Sequence, residues 1–212
     1  MLIIIIFSPL SFYIFNFNFY NNLYEKNGVY EVLDKNDVAV ITASVFNFFK
    51  HGQQFKKFNL KGNINYFNEN EISHLNDVRI LLGKIFIIFY SSIVMAVILT
   101  FLLIDKNHFK FLRNISIVFL ISSSILIIFL AVLYFLASNF GSLFDKFHLS
   151  FFPQGNWAFT EGSLIITIFP FGFFYDFFFK LLTSSFIISI ILIVFGITGI
   201  VIANKRLAGE KK

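Results

Sequence analysis

The 212-residue chain is 57% hydrophobic and 14% charged, well below the roughly 25% charged content of soluble domains, and is read as an integral membrane protein. It contains no cysteine, which excludes disulfides, thiolate nucleophiles and cysteine-based metal sites. The formal charge of +5 does not point to nucleic acid, because the basic residues cluster beside apolar stretches, where membrane topology accounts for them.

The first apolar stretch, residues 2–20, is interrupted by Pro9 and just reaches the length of about 20 residues needed to cross a hydrocarbon core. No basic segment precedes it, and Tyr13, Phe15, Phe17 and Phe19 replace the small residues of a cleavage site, so a retained helix is expected rather than a signal peptide. Residues 21–77 form a long polar region. Within it, Val38–Lys50 has the pattern of an amphipathic helix lying on the membrane interface, and Phe55–Tyr66 alternates around Gly62-Asn63 like a short hairpin. Further spans are expected at about 80–104, 114–140 and 181–203, with a second non-spanning region over 141–180.

The expected fold is therefore a mainly α, polytopic membrane protein: one membrane domain over 1–212, with four transmembrane helices and a small extracytoplasmic cap built from 21–77 and 141–180. The basic turn with Lys106, Lys110 and Arg113 and the tail with Lys205, Arg206, Lys211 and Lys212 belong on the cytoplasmic side. Four spans then put both termini in the cytoplasm and His74 and His148 together on the extracytoplasmic face of a plasma membrane.

His74 lies in Glu71-Ile72-Ser73-His74-Leu75-Asn76-Asp77-Val78-Arg79, with carboxylates three residues to either side. On a helix such a neighbour can fix an imidazole tautomer and raise its basicity; the plainer reading makes this segment a polar cap whose acids suit a helix N-terminus. His148 is flanked by Phe147, Phe151 and Phe152, and an apolar surround keeps an imidazole neutral, as a general base must be; alternatively the ring is an interfacial anchor like Trp157. His51 and His108 read as solvated. A zinc site completed by Asp145, Glu161 or Asp176 is the weaker alternative, and neither Ser150 nor Ser163 sits in a glycine-flanked nucleophile elbow. Residues 157–170 hold a short apolar run ended by Pro170, expected to lie against the membrane as a helix or strand.

Taken together, Glu71-x-x-His74-Leu75-x-Asp77-Val78-Arg79 before the second span, Phe147-His148-x-x-Phe151-Phe152 and Asn156-Trp157 before the fourth, then Leu164-Ile165, Phe169-Pro170, Phe174 and Asp176, resemble the Lit family of bacterial lipoprotein intramolecular transacylases. One departure is Ser163, where an acidic residue is expected before the Leu-Ile pair. The resemblance implies an acyltransferase that moves the sn-2 acyl chain of an S-diacylglyceryl cysteine to the α-amino group of the same cysteine. It also implies catalytic roles for His74 and His148 at the junction of cap and membrane. Glu71, Asp77, Arg79 and Asn156 are the expected supporting residues, and Phe147, Phe151, Phe152, Trp157 and Tyr175 the expected pocket. The partners expected are a diacylated lipoprotein and the lipid bilayer, with no nucleic acid, cofactor or metal. The alternative is a non-enzymatic membrane protein whose cap binds an envelope partner.

Overall fold

The computed structural model describes residues 1–55, 58–60, 63–65 and 67–210. Three helical stretches among them are long and apolar enough to cross a membrane. These are α5 (Glu69–Leu102), the run His108–Phe151, and α9 (Phe171–Gly209). The middle run joins α6 (His108–Leu136) to α7 (Phe140–Phe151) through a 3-10 turn at Ala137–Asn139. A fourth span exists if α1 (Leu2–Tyr13) and α2 (Phe17–Lys26), which meet at 78°, count as one. The protein is thus a mainly helical, multi-pass membrane protein.

The stretch read as a single span at 2–20 breaks because Asn16 takes extended backbone and caps α2, its side chain accepting the Phe19 N–H at 3.0 Å. At 1.5 Å per residue, α1 alone reaches only about 18 Å, short of a hydrocarbon core of about 30 Å.

One compact unit comprises Met1–Ser11, Phe86–Ser138 and Lys180–Lys212. Its core packs Ile5, Leu126 and Leu130 against Ile6, Leu182, Ile188 and Leu192. In this unit α6 and α9 approach closely, since a Cβ on Gly199 would stand 2.1 Å from Ser116 Oγ and one on Gly196 2.9 Å from the Ser116 carbonyl. Small residues permit such contacts where lipid supplies no hydrophobic drive for helices to associate. The outward faces carry large apolar side chains such as Ile87, Phe135 and Phe195, as expected where the solvent is hydrocarbon.

The other unit comprises Phe12–Ile85 and Asn139–Phe179. Besides α2, the start of α5, α7 and the first part of α9, it holds α3 (Val29–Val32), α4 (Lys35–His51), α8 (Leu164–Ile168) and two strands. The strands, β1 (Phe58–Leu60) and β2 (Asn63–Asn65), pair antiparallel. They fall within the stretch expected to form a hairpin; Asn63, read as one of its two central residues, begins β2, and Gly62, the other, lies outside the described residues.

A core of Tyr20, Leu23, Tyr24, Ile41, Val45, Phe48, Phe67 and Ile168 holds this unit together. It corrects the reading of Val38–Lys50 as an interfacial helix: α4 turns Val38, Ile41, Val45 and Phe48 into the core, so its apolar face is already occupied by protein. Residues 157–170 likewise yield α8, whose Ile165 and Ile168 are buried in the same core. Tyr24 is fully buried, and its hydroxyl donates to Thr42 Oγ1 at 2.9 Å, because the Thr42 hydrogen goes to the Val38 carbonyl at 2.7 Å. Asp176 ties α9 to α2 by accepting from Lys26 and from Asn27 Nδ2.

Candidate active site

The site lies wholly within the second unit and is assembled by the first turns of α5, the end of α7 and the irregular segment 152–163. Helix α5 starts with a reciprocal cap: Glu71 Oε2 accepts the Asn68 N–H at 2.6 Å, and Asn68 Oδ1 accepts the Glu71 N–H at 2.9 Å. The other carboxylate oxygen of Glu71, Oε1, accepts the Ile165 N–H at 2.9 Å. The Glu71 side chain is only 1% exposed. One acid therefore serves the N-termini of both α5 and α8, where negative charge is favoured. Ser163, at the N-cap of α8, makes no side-chain cap.

One turn further along α5, His74 is buried. Its ring contacts Phe152 (centroids 4.9 Å apart), Phe159 (5.5 Å) and the ring of His148 (5.8 Å, planes inclined by only 27°). Its Nδ1 is buried without a partner. Asp77, three residues on, directs Oδ2 to Gln154 Nε2 (2.6 Å) and Asn156 Nδ2 (2.7 Å). Asn156 Nδ2 also donates to Ser73 Oγ at 3.0 Å. Asp77 thus anchors the loop beside the histidines, and its influence on His74 is electrostatic.

His148 comes from α7. Its Nδ1 lies 2.8 Å from the Phe144 carbonyl oxygen. A carbonyl only accepts, so Nδ1 carries the hydrogen, and in the neutral ring Nε2 carries the lone pair. The imidazole packs against Phe144 (4.1 Å), Trp157 (4.8 Å), Phe147 (5.5 Å) and Phe152 (5.6 Å).

Both histidines precede or follow the purely apolar parts of their helices. Burial pushes the His74 pKa down from 6.5 to about 4; His148 lowers it further, and Asp77 opposes the shift. Burial also lowers the His148 pKa, against the hydrogen bond to Phe144 and the charge of Asp145. Both rings are therefore neutral near pH 7, as they must be to stack this closely without repulsion.

Of the residues singled out by sequence, Glu71, His74, Asp77, His148, Phe147, Phe152, Asn156 and Trp157 meet here. Phe151 reaches the cluster through Phe147, at 4.8 Å. Tyr175 packs instead on Phe140 (5.3 Å) and Phe179 (4.6 Å). The Arg79 guanidinium sits over the Phe48 ring at 5.6 Å and close against Gly52. Phe144 and Phe159 were not singled out: Phe144 stands four residues before His148, a spacing that places it on the same helical face, whereas Phe159 lies in irregular chain with no periodicity to mark it. Among the described residues, no group of three His, Cys, Asp or Glu side chains is placed to hold a metal ion.

Polytopic membrane helices carrying a buried, stacked histidine pair walled by aromatic rings define the class: an integral membrane protein with two imidazoles enclosed among apolar side chains. Residues 1–174 match the family model described as lipoprotein intramolecular transacylase Lit. The chain belongs to the Lit family. It is similar in fold to the crystallised membrane-integral Lit of Bacillus cereus (TM-score 0.70, 22% identity, covering 97% of this chain and 92% of that one). A variant of that protein with one histidine replaced by arginine is also similar (TM-score 0.71, 22% identity, 98% and 88% covered). An uncharacterized protein of Aquifex aeolicus (strain VF5) is 29% identical over 149 residues, which cover 69% of this chain and 64% of that protein. The match thus spans less than two thirds of that relative's length.

Proposed function

We propose that this chain is a lipoprotein intramolecular transacylase, transferring the sn-2 acyl chain of an S-diacylglyceryl cysteine to the α-amino group of that cysteine, with its site on the extracytoplasmic face and both termini in the cytoplasm. The observation that carries this reading is the stacked pair of neutral, buried histidines, one of which has its tautomer fixed. Membership in a family named for this reaction supports it.

The reaction needs no nucleophile from the protein, since the substrate supplies both amine and ester. The amine nitrogen attacks the ester carbonyl carbon; a proton leaves the nitrogen; the bond to the glyceryl oxygen breaks, and that oxygen takes a proton. His148 is the base: its Nδ1–H is held by the Phe144 carbonyl, which leaves the Nε2 lone pair for the ammonium proton. His74 keeps one N–H when neutral and hydrogen-bonds the departing glyceryl oxygen, which receives the proton collected by His148, so that both imidazoles end the cycle neutral. General acid–base catalysis of this kind contributes roughly 10²–10⁴-fold. Aromatic walls that exclude water and hold amine and ester together supply the larger proximity effect, about 7–11 kcal/mol when orientation is good. Excluding water also separates transfer from hydrolysis of the ester.

The test is to express His74→Ala, His74→Asn and His148→Ala beside a reporter lipoprotein and examine its N-terminus by tandem mass spectrometry. N-acylated lyso-form product is expected from the unaltered protein and none from the variants. Full product from either alanine variant would remove the histidines from the mechanism.

A further inference from the structure

Trp157 Nε1 is buried and has no acceptor among the described residues. An indole nitrogen is a donor only, and a buried donor without a partner calls for an explanation. This one belongs to the ring that lies against His148, with centroids 4.8 Å apart and planes inclined by 38°. An indole N–H and an imidazole lone pair both point outward in the planes of their rings. Each group therefore lies at the edge of its own ring, in two rings that touch.

Asn156 and Arg79, expected from sequence to support the site, do not supply a donor beside the indole. Asp77 is an acceptor only, so the Asn156 atom 2.7 Å from its Oδ2 must be Nδ2. The second hydrogen of that amide goes to Ser73 Oγ, at 3.0 Å. What Asn156 has left is Oδ1, itself buried and unpaired, and an acceptor cannot stabilise an oxyanion. The Arg79 guanidinium is laid over Phe48 and packed against Gly52. The clamp that uses up the Asn156 hydrogens also fixes the residue immediately before Trp157, which seats the indole against His148.

We infer that the Trp157 Nε1–H is the hydrogen-bond donor to the ester carbonyl oxygen of the substrate, completing an oxyanion site that the histidines alone do not provide. The inference rests on the transacylase reading. As the C–N bond forms, the carbonyl π electrons move to oxygen and the negative charge grows opposite the indole N–H. The ammonium proton passes to His148 Nε2. When the bond to the glyceryl oxygen breaks, the carbonyl reforms and that oxygen is protonated. Trp157 keeps its proton throughout, and no co-reactant is consumed. A donor of this kind acts mainly in the transition state, whereas an aromatic wall acts equally on bound substrate.

The experiment compares the purified full-length protein with Trp157→Phe, and with a variant carrying 3-benzothienylalanine at position 157, an isostere in which sulfur replaces N–H. The substrate is a synthetic S-diacylglyceryl-cysteine lipopeptide in detergent micelles. Loss of one such donor is expected to lower kcat roughly 10²–10³-fold while KM changes little, with the isostere behaving like Phe. Because the isostere keeps the shape of the indole, it reads the N–H even if Trp157→Phe folds poorly. An isostere with wild-type kcat, or one whose defect lies entirely in KM, overturns the inference and leaves the transacylase reading standing. An unaltered protein that makes no product overturns the transacylase reading, and this inference with it.

Discussion

His74 and His148 are neutral because they are buried, and this has a measurable consequence. A histidine whose pKa is lowered in the folded protein binds its proton later than in the unfolded chain. Stability is therefore full above about 6.5 and declines as pH falls from there, for His74 towards its folded value of about 4. Activity follows the same sign, since the base must be unprotonated. The acid limb that belongs to the base is expected below 6.5, separate from a further rise near pH 8 as the substrate's α-amino group, with an ordinary pKa of about 8, loses the proton it must lose to attack. Titration of the two imidazoles by NMR in the substrate-free protein is the check, and a histidine that titrates at or above 6.5 would contradict the neutral pair. The histidines themselves were legible in the sequence because a titratable ring among Phe147, Phe151 and Phe152 stands out in any apolar chain. The work of Asp77 was not. Its spacing suggested a hydrogen bond to His74, whereas Asn156 and Gln154, nearly 80 residues away in sequence, offer more donors than one imidazole. Asp77→Ala is accordingly expected to loosen the loop around Trp157, lowering activity about tenfold, in line with the weakening seen when a supporting partner is lost. The check is a kinetic comparison with the unaltered protein.

Glu71 operates at the scale of elements. Its two oxygens satisfy the Asn68 and Ile165 N–H groups, so it joins the helix that carries His74 to the short helix that follows the Trp157 loop. Removing it leaves two buried donors unpaired, each costing about 1–3 kcal/mol. Thermal unfolding should therefore rank Glu71→Ala below Glu71→Gln, which keeps one acceptor, and both below the unaltered protein; equal melting temperatures would show that the latch carries no load. From sequence Glu71 was legible only as an acid suited to a helix N-terminus; its contact with α8 was not, since it joins residues 94 positions apart. The break between α1 and α2 was not legible: the interruption read in this stretch, Pro9, lies inside α1, and the break falls at Asn16, amid largely apolar residues. In α4 the amphipathic pattern was clear, but a pattern does not state whether protein or lipid covers the apolar face.

For the whole molecule, the number of spans decides the arrangement of the termini. If the α1–α2 pair crosses the membrane, four spans place both ends on one side; if it enters and turns back, three spans place them on opposite sides. Reporter fusions at each end are expected to show both termini in the cytoplasm. Within the membrane unit, α6 and α9 meet where Gly199 faces Ser116 and a Cβ would stand 2.1 Å from its Oγ. Gly199→Val must push these helices apart, and overpacking of this kind costs about 1–3 kcal/mol, which a lowered melting temperature in detergent would register.

The most direct test of the account follows the acyl chain itself. A synthetic S-diacylglyceryl-cysteine lipopeptide bearing a ¹³C-labelled sn-2 acyl chain is incubated with purified protein, and the label is located by fragmentation, because the product is an isomer of the substrate with unchanged total mass. The account predicts the label on the cysteine nitrogen, as an amide, with the sn-2 hydroxyl free. Label that stays on the glyceryl oxygen, or is released as free fatty acid, would contradict it.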